Sequence, residues 1–118
     1  MSWLMFDYPR CGTVQKAKRW LAEKEIDYQT RHIVDEPPTR EEIADFHKKS
    51  GLEIKKLFNT SGAKYRELKL KDVVKNAAPD ELFDILASDG LLVKRPIMTD
   101  GEKVLFGFNE KEWAEVFK

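Results

Sequence analysis

The pattern of apolar residues in the first third of the chain predicts two strands with an amphipathic helix between them. Trp3–Phe6 is continuously apolar, which predicts a short strand buried on both faces. From Thr13 to about Lys24, apolar residues recur at helical spacing between lysines and glutamate, which predicts an amphipathic helix. Tyr28–Val34 is typical of a second strand. A strand, a helix and a strand in this order form one βαβ unit, whose two strands are parallel.

The middle of the chain carries helical signals only. Thr39-Arg40-Glu41-Glu42 follows two prolines and has the pattern of a capping box, and Gly51 fits a left-handed stop for the helix that begins there. Shorter helical segments are predicted at 52–58, 63–68 and 71–75. Pro79 fits the first turn of a further helix, which Gly90 is expected to terminate. An all-helical region is therefore predicted over about residues 39–89.

The last part of the chain predicts a hairpin followed by a helix. Ile97–Thr99 and Lys103–Phe106 flank the turn pair Asp100-Gly101. Asn109-Glu110-Lys111-Glu112 is a second capping-box pattern, which starts a closing helix. The predicted fold class is α/β (α+β): a βαβ unit plus a β-hairpin and a C-terminal helix, in a single domain over residues 1–118.

Composition narrows the classes of function. The 118 residues suit one core, and 21 Lys and Arg balance 21 Asp and Glu, which argues against a direct nucleic-acid binder. No apolar run approaches the length of a membrane span, and the apolar start is too short for a signal peptide. One cysteine excludes an internal disulfide, and structural metal sites usually need more Cys or His. We expect a cytoplasmic monomer with no metal and no membrane contact.

Three segments, found in the same order along the chain, resemble the arsenate reductase (ArsC)/Spx family. They are Tyr8-Pro9-Arg10-Cys11-Gly12-Thr13, Leu92-Val93-Lys94-Arg95-Pro96-Ile97 and Gly107-Phe108-Asn109-Glu110. The likeness covers nearly the whole chain. It implies a thioredoxin-like fold in which residues of about 39–89 form a helical insertion between strands 2 and 3. The family comprises glutathione- and glutaredoxin-coupled arsenate reductases and Spx-type regulators that bind RNA polymerase.

Cys11 is the candidate catalytic nucleophile. It lies in the turn that opens the first helix, where unpaired N–H groups and the helix dipole favour a thiolate. We expect the backbone amides of Gly12 and Thr13 to stabilise that thiolate. The alternative is that Cys11 is a small apolar residue filling a gap in the core.

The second thiol of a Cys-x-x-Cys motif is missing, because Val14 occupies its position. A self-contained dithiol cycle and an Spx-like disulfide switch are therefore both impossible. A redox cycle at Cys11 would need an external thiol, such as glutathione, glutaredoxin or thioredoxin, and no bound cofactor.

The resemblance also implies an anion site. Arg95 matches one of three arginines that hold the oxyanion in the reductases, and Arg10 and Lys55 are further candidates; a solvated Arg95 is the alternative. The third arginine is missing at or near Gly107. Asp7 stands near the position of a histidine that assists the thiolate, and a carboxylate there is expected to oppose its ionisation. Arsenate is therefore doubtful as the natural substrate.

Two further residues carry roles that the resemblance implies. Pro96 is similar to the cis-proline that shapes the docking edge of thioredoxin folds; the alternative is an ordinary trans proline. Gly51 lies in the region where a glycine of Spx-type proteins contacts the α subunit of RNA polymerase. A helix stop explains Gly51 equally well.

The sequence leads to two hypotheses of different class. The first is a glutaredoxin-like single-cysteine thiol oxidoreductase of the arsenate reductase type, in which Cys11 forms a mixed disulfide that an external thiol resolves. The second is an Spx-like regulatory protein that binds RNA polymerase without catalysis. A relative that keeps the fold and has lost the chemistry is a third, blander possibility.

Overall fold

One four-stranded mixed sheet organises the computed structural model, which describes residues 2–118; Met1 of the predicted domain lies outside them. The strands are β1 (Leu4–Asp7), β2 (Gln29–His32), β3 (Ile97–Thr99) and β4 (Val104–Phe106). Their order across the sheet is β2-β1-β3-β4. The β1–β2 pair is parallel, as the βαβ unit predicts, and β3 is antiparallel to both β1 and β4.

Six α-helices and two short 3₁₀ turns complete the described chain, in the order that the sequence predicts. The helices are α1 (Gly12–Glu23), α2 (Arg40–Ser50), α3 (Ala63–Glu67), α4 (Leu70–Asn76), α5 (Pro79–Ser88) and α6 (Glu110–Val116). The 3₁₀ turns are Ile54–Leu57 and Gly90–Leu92. Helices α2 to α5 follow β2 and precede β3, which confirms the predicted helical insertion. Within residues 2–118, no helix has both the length and the apolar character that crossing a membrane requires.

The sheet separates two apolar cores because successive side chains of a strand point to opposite faces. Met5, Met98 and Leu105 pack on one face with residues of α1 and α6, including Trp113. Their strand neighbours on the other face belong to the core beneath the helical insertion: Phe6, Ile97 and Val104. The central strands are therefore buried on both faces, as the apolar run at the start of the chain predicts.

Local capping residues set the ends of α2 and the start of α6. Thr39 accepts a hydrogen bond from the Glu42 N–H, while the Glu42 carboxylate accepts one from the Thr39 N–H, so the capping box is complete. Gly51 ends α2 with a left-handed φ of 69°, as predicted. At α6, the Asn109 side chain accepts from the Glu112 N–H.

The prediction that Gly90 ends α5 is wrong. The helix ends at Ser88, and the extended residue Asp89 caps the following 3₁₀ turn by accepting from the Leu91 N–H. Gly90 is buried where two segments of backbone meet: a Cβ at this position would lie 1.9 Å from the carbonyl oxygen of Ile33. The glycine therefore permits close packing rather than a left-handed turn.

We predict that Gly90→Ala destabilises the fold, because the added methyl group collides with the backbone just after β2. The free energy of unfolding in urea should fall by about 3 kcal/mol. Gly12→Ala is the matched control, since no atom lies within 4 Å of its Cβ position, and its change should stay under about 1 kcal/mol. Equal stabilities of the two variants would contradict the packing role of Gly90.

Candidate functional site

The pairing of β1 with β3 brings two distant loops together. Phe6 lies opposite Ile97 in the antiparallel register, so the loop that follows β1 meets the segment that precedes β3. Cys11 lies in the first loop, and Arg95 lies in the second. The Arg95–Pro96 peptide bond is cis, as the resemblance implies.

Cys11 is the N-terminal capping residue of α1. Its backbone is extended, with φ −94° and ψ 121°, and its N–H donates to the Tyr8 carbonyl at 3.0 Å, which closes the preceding turn. The helix begins at the next residue, so the first helical N–H groups lie beside the sulfur atom. Those groups have no partner inside the helix and are available to an anion.

The pKa of the Cys11 thiol lies below its ordinary value because several groups favour the thiolate. Partial burial raises this pKa, since it removes water from the charged form. The Val14 N–H, the Arg95 guanidinium and the Thr13 N–H favour the thiolate as hydrogen-bond donors, and the positive charge of Arg95 adds attraction. Together these contacts lower the pKa by more than burial raises it. The site therefore favours the nucleophilic form of cysteine.

Arg95 is held against an aromatic ring. Its guanidinium carbon lies 4.7 Å from the centre of the Tyr8 ring, a cation–π contact, and His32 packs edge-on to the same ring at 5.7 Å. The Arg95 Nη1 atom is buried, yet it has no hydrogen-bond partner among residues 2–118. A guanidinium with a buried, unpaired donor next to a thiolate suits binding of an anionic group.

A cavity of about 410 Å³ opens over the sulfur. Its lining residues are Cys11, Thr13, Asn59, Ser61, Gly62, Lys94, Arg95, Gly107 and Phe108. The volume is in the range of small-molecule sites. Cys11 is half-buried and lines this cavity, so it is not sealed in the core as a gap-filling residue would be.

The structure changes the predicted set of amide donors. The backbone N–H groups that lower the pKa of Cys11 belong to Thr13 and Val14, whereas Gly12 and Thr13 are predicted from the sequence. Gly12 is exposed, with no atom within 4 Å of its Cβ position, so it leaves the approach to the helix end open. The reason is helix geometry: a capping side chain reaches the N–H groups two and three residues on, not the next one.

Two of the predicted cationic residues do not line the cavity over the sulfur. Arg10 is exposed, and Lys55 lines a neighbouring cavity of about 460 Å³ together with Glu53, Lys56 and Lys94. Lys55 therefore lies beside the next cavity, where the 3₁₀ turn at 54–57 carries it. Lys94, which was not among the predicted cationic residues, borders both cavities.

Lys94 is not predicted from the sequence, although it precedes Arg95 in the segment Leu92–Ile97. An available signal was the absence of a side chain at Gly107, which leaves room for a long side chain from a neighbouring strand end. That proximity depends on the β3–β4 register, in which Ile97 pairs with Phe106.

Asp7, at the end of β1, forms an ion pair with Lys18. Its Oδ2 atom lies 2.8 Å from Nζ of Lys18 on α1, and its Oδ1 atom is buried without a partner among the described residues. The sequence analysis expected this carboxylate to oppose ionisation of Cys11. The positive charge of Lys18 offsets the negative charge of this carboxylate.

Gly51 lies outside the cavity over the sulfur. It is exposed at the end of α2, and no atom lies within 4 Å of its Cβ position. Its positive φ accounts for the glycine as a helix stop, and its exposure leaves the surface accessible to a partner.

The sheet order, the cysteine at a helix N-terminus and the cis-proline before the hairpin together identify a thioredoxin-like protein. The model of the ArsC family matches residues 6–116, and the chain belongs to that family. The chain is 50% identical to the uncharacterized protein YusI of Bacillus subtilis (strain 168), over 98% of both chains. The crystal structure of an ArsC family related protein from Bacteroides fragilis superimposes with a TM-score of 0.94, at 46% identity over 98% of both chains. The global transcriptional regulator Spx of Lactiplantibacillus plantarum is 28% identical, over 92% of this chain and 81% of Spx.

We predict that Arg95→Met raises the apparent pKa of Cys11, because the variant loses a hydrogen bond and a positive charge that stabilise the thiolate. The rate of alkylation by iodoacetamide, followed from pH 5 to 10, measures this pKa. At pH 7 the variant should react several-fold more slowly, and the two proteins should converge at high pH, where both thiols are ionised. Arg19→Met, on the exposed face of α1, is the control and should leave the curve unchanged.

Proposed function

We propose that the chain is a single-cysteine thiol oxidoreductase in which Cys11 is the nucleophile. The observation that carries this proposal is the position of Cys11, which caps the N-terminus of α1 and lines a cavity together with Arg95. Membership of the ArsC family supports it. The role of each residue at this site is part of the proposal.

The proposed cycle consists of two thiol–disulfide exchanges. The Cys11 thiolate attacks one sulfur of a substrate disulfide, the new S–S bond forms, the old one breaks, and the second substrate sulfur leaves as a thiolate. An external thiolate, such as that of glutathione, glutaredoxin or thioredoxin, then attacks the mixed disulfide and releases Cys11 as a thiolate. The attacked substrate sulfur leaves in a disulfide with the external thiol, and a second external thiol reduces that disulfide away from the protein. Two external thiols are thus oxidised to one disulfide for each substrate disulfide that is reduced, without a bound cofactor.

Arg95 gives the site a preference for substrates with negative charge. Its stacked guanidinium has a free buried donor that faces no protein acceptor among the described residues. Pro96 would shape the docking edge beside the sulfur, as the resemblance implies. The natural substrate in this proposal is an anionic disulfide or mixed disulfide, and arsenate is not required.

We predict that Cys11→Ser abolishes formation of a mixed disulfide with oxidised glutathione, because no other cysteine is present. Intact-mass spectrometry should show one glutathione adduct on the wild-type protein and none on the variant. Glutathione-coupled reduction of 2-hydroxyethyl disulfide, followed by NADPH consumption with glutathione reductase, should fall to the uncatalysed rate in the variant. Equal turnover of the two proteins would end the proposal.

A second candidate function rests on a different observation. The relatives at 28% identity include the regulatory protein MgsR of Bacillus subtilis (strain 168) and the global transcriptional regulator Spx. In this alternative the helical insertion binds the α subunit of RNA polymerase near Gly51, and Cys11 has no catalytic part. A disulfide switch within the chain is excluded by the single cysteine.

We predict for this alternative that Gly51→Arg weakens capture of the C-terminal domain of the RNA polymerase α subunit by at least about tenfold, since a hot-spot substitution has that size of effect. Gly51→Ala is the matched control. Both variants carry the same unfavourable positive φ, so only the arginine side chain distinguishes them. No binding by the wild-type protein in a titration would dispose of the alternative.

A further inference from the structure

We propose that Lys94 gives the site at Cys11 a preference for negatively charged substrates, because it adds a second positive group beside Arg95 to the cavity. This inference rests on the proposed reactivity of Cys11 and extends it to the selection of substrates. The favoured substrates are anionic disulfides. The absence of a side chain at Gly107 makes room for Lys94, to which we assign this preference.

The position of the Lys94 side chain depends on Gly107. A Cβ atom at Gly107 would lie 2.6 Å from Cε of Lys94 and 3.5 Å from its Cδ. The lysine chain therefore lies across the glycine, in space that any other residue would occupy. Gly107 and Lys94 both line the cavity over the sulfur, and Lys94 also borders the neighbouring one.

Gly107 is itself fixed by the loop that follows β4. Its N–H donates to the Pro96 carbonyl at 2.8 Å, and its carbonyl accepts from Nε1 of the buried Trp113 at 3.1 Å. Its φ is 75°, a region that a residue with a side chain rarely adopts. Gly107, over which the Lys94 side chain lies, is thus hydrogen-bonded directly to Pro96, the residue that follows Arg95.

The charges around the cavity leave Lys94 free to act on a ligand. No carboxylate lies within 4.0 Å of its ammonium group among residues 2–118, whereas Lys18 and Lys49 both form ion pairs. The lining contains two cations, Lys94 and Arg95, and no Asp or Glu. The neighbouring cavity, which Lys94 also borders, is lined by Glu53 and Glu112 as well as by Lys55 and Lys56. In a chain whose formal net charge is zero, Lys94 and Arg95 are a local excess of positive charge at the nucleophile.

Such an arrangement acts on both ends of the exchange reaction. A positive cavity raises the local concentration of an anionic disulfide, and it favours the transition state, in which negative charge spreads over the attacking, central and leaving sulfurs. A neutral disulfide receives only the second benefit. Removal of the Lys94 charge should therefore slow anionic substrates more than neutral ones.

The test compares two chromogenic disulfides in their single reaction with Cys11. The anionic probe is 5,5′-dithiobis(2-nitrobenzoate), and the neutral probe is 4,4′-dithiodipyridine. For Lys94→Met the ratio of the two second-order rate constants, anionic over neutral, should fall by about three- to fivefold at low ionic strength, since an exposed charge pair has that effect. The difference should shrink in 1 M salt, where charges are screened.

Two further variants make the test specific. Lys56→Met removes the same charge from the neighbouring cavity only and should leave the ratio unchanged. Lys94→Arg keeps a positive charge at the same position and should leave the ratio close to that of the wild-type protein. A thermal melt checks that each variant is folded.

The outcomes separate the inference from the proposed function. An unchanged ratio in Lys94→Met, or an equal loss with both probes, overturns the role of Lys94 and leaves the nucleophilic role of Cys11 standing. Equal falls for Lys56→Met and Lys94→Met overturn it too, because the effect then belongs to net charge. If wild-type Cys11 reacts with neither probe, the proposed function fails and the inference fails with it.

Discussion

The antiparallel pairing of β1 with β3 is the constraint on which the site depends. It sets the first helical turn of α1 against the segment that ends in the cis-proline, so Cys11 and Arg95 meet although the whole helical insertion separates them in the sequence. The register is fixed by burial on both faces. A slip of one residue would exchange Met5 and Phe6 between the two cores and so disrupt the packing of both.

The lowered pKa of the Cys11 thiol results from a balance between burial and directed donors. Partial burial works against the charge, and it also removes the water that would weaken each hydrogen bond to the sulfur. Fixed backbone N–H groups suit this task, because they are held in place by the helix and cost no rearrangement when charge develops. Arg95 is held in a similar way by the Tyr8 ring. The same features that order the loop therefore prepare it for ionisation.

The order of elements was predictable because local signals mark it, while the details of the cavity were not. Apolar periodicity and the caps at Thr39 and Gly51 are properties of neighbouring residues, and they determine where helices and strands lie. Gly90 and Lys94 depend on contacts with segments distant in sequence, so a local pattern assigns Gly90 to a helix end and passes over Lys94. The choice between Gly12 and Val14 as an amide donor is of another kind, because helix geometry alone favours the N–H groups two and three residues after the capping residue.

Because the chain has one cysteine, the proposed chemistry requires a site that an external thiol can reach. Every mixed disulfide at Cys11 has to be resolved from outside, because the residue at the usual position of a second thiol, Val14, is buried and apolar. The exposed Gly12 and the cavity leave a path for the incoming thiol. The attacking species is again a negatively charged thiolate, so the positive charge of Arg95 favours the second exchange as it favours the first. One set of charges thus serves both halves of the cycle, and an internal second thiol is not needed.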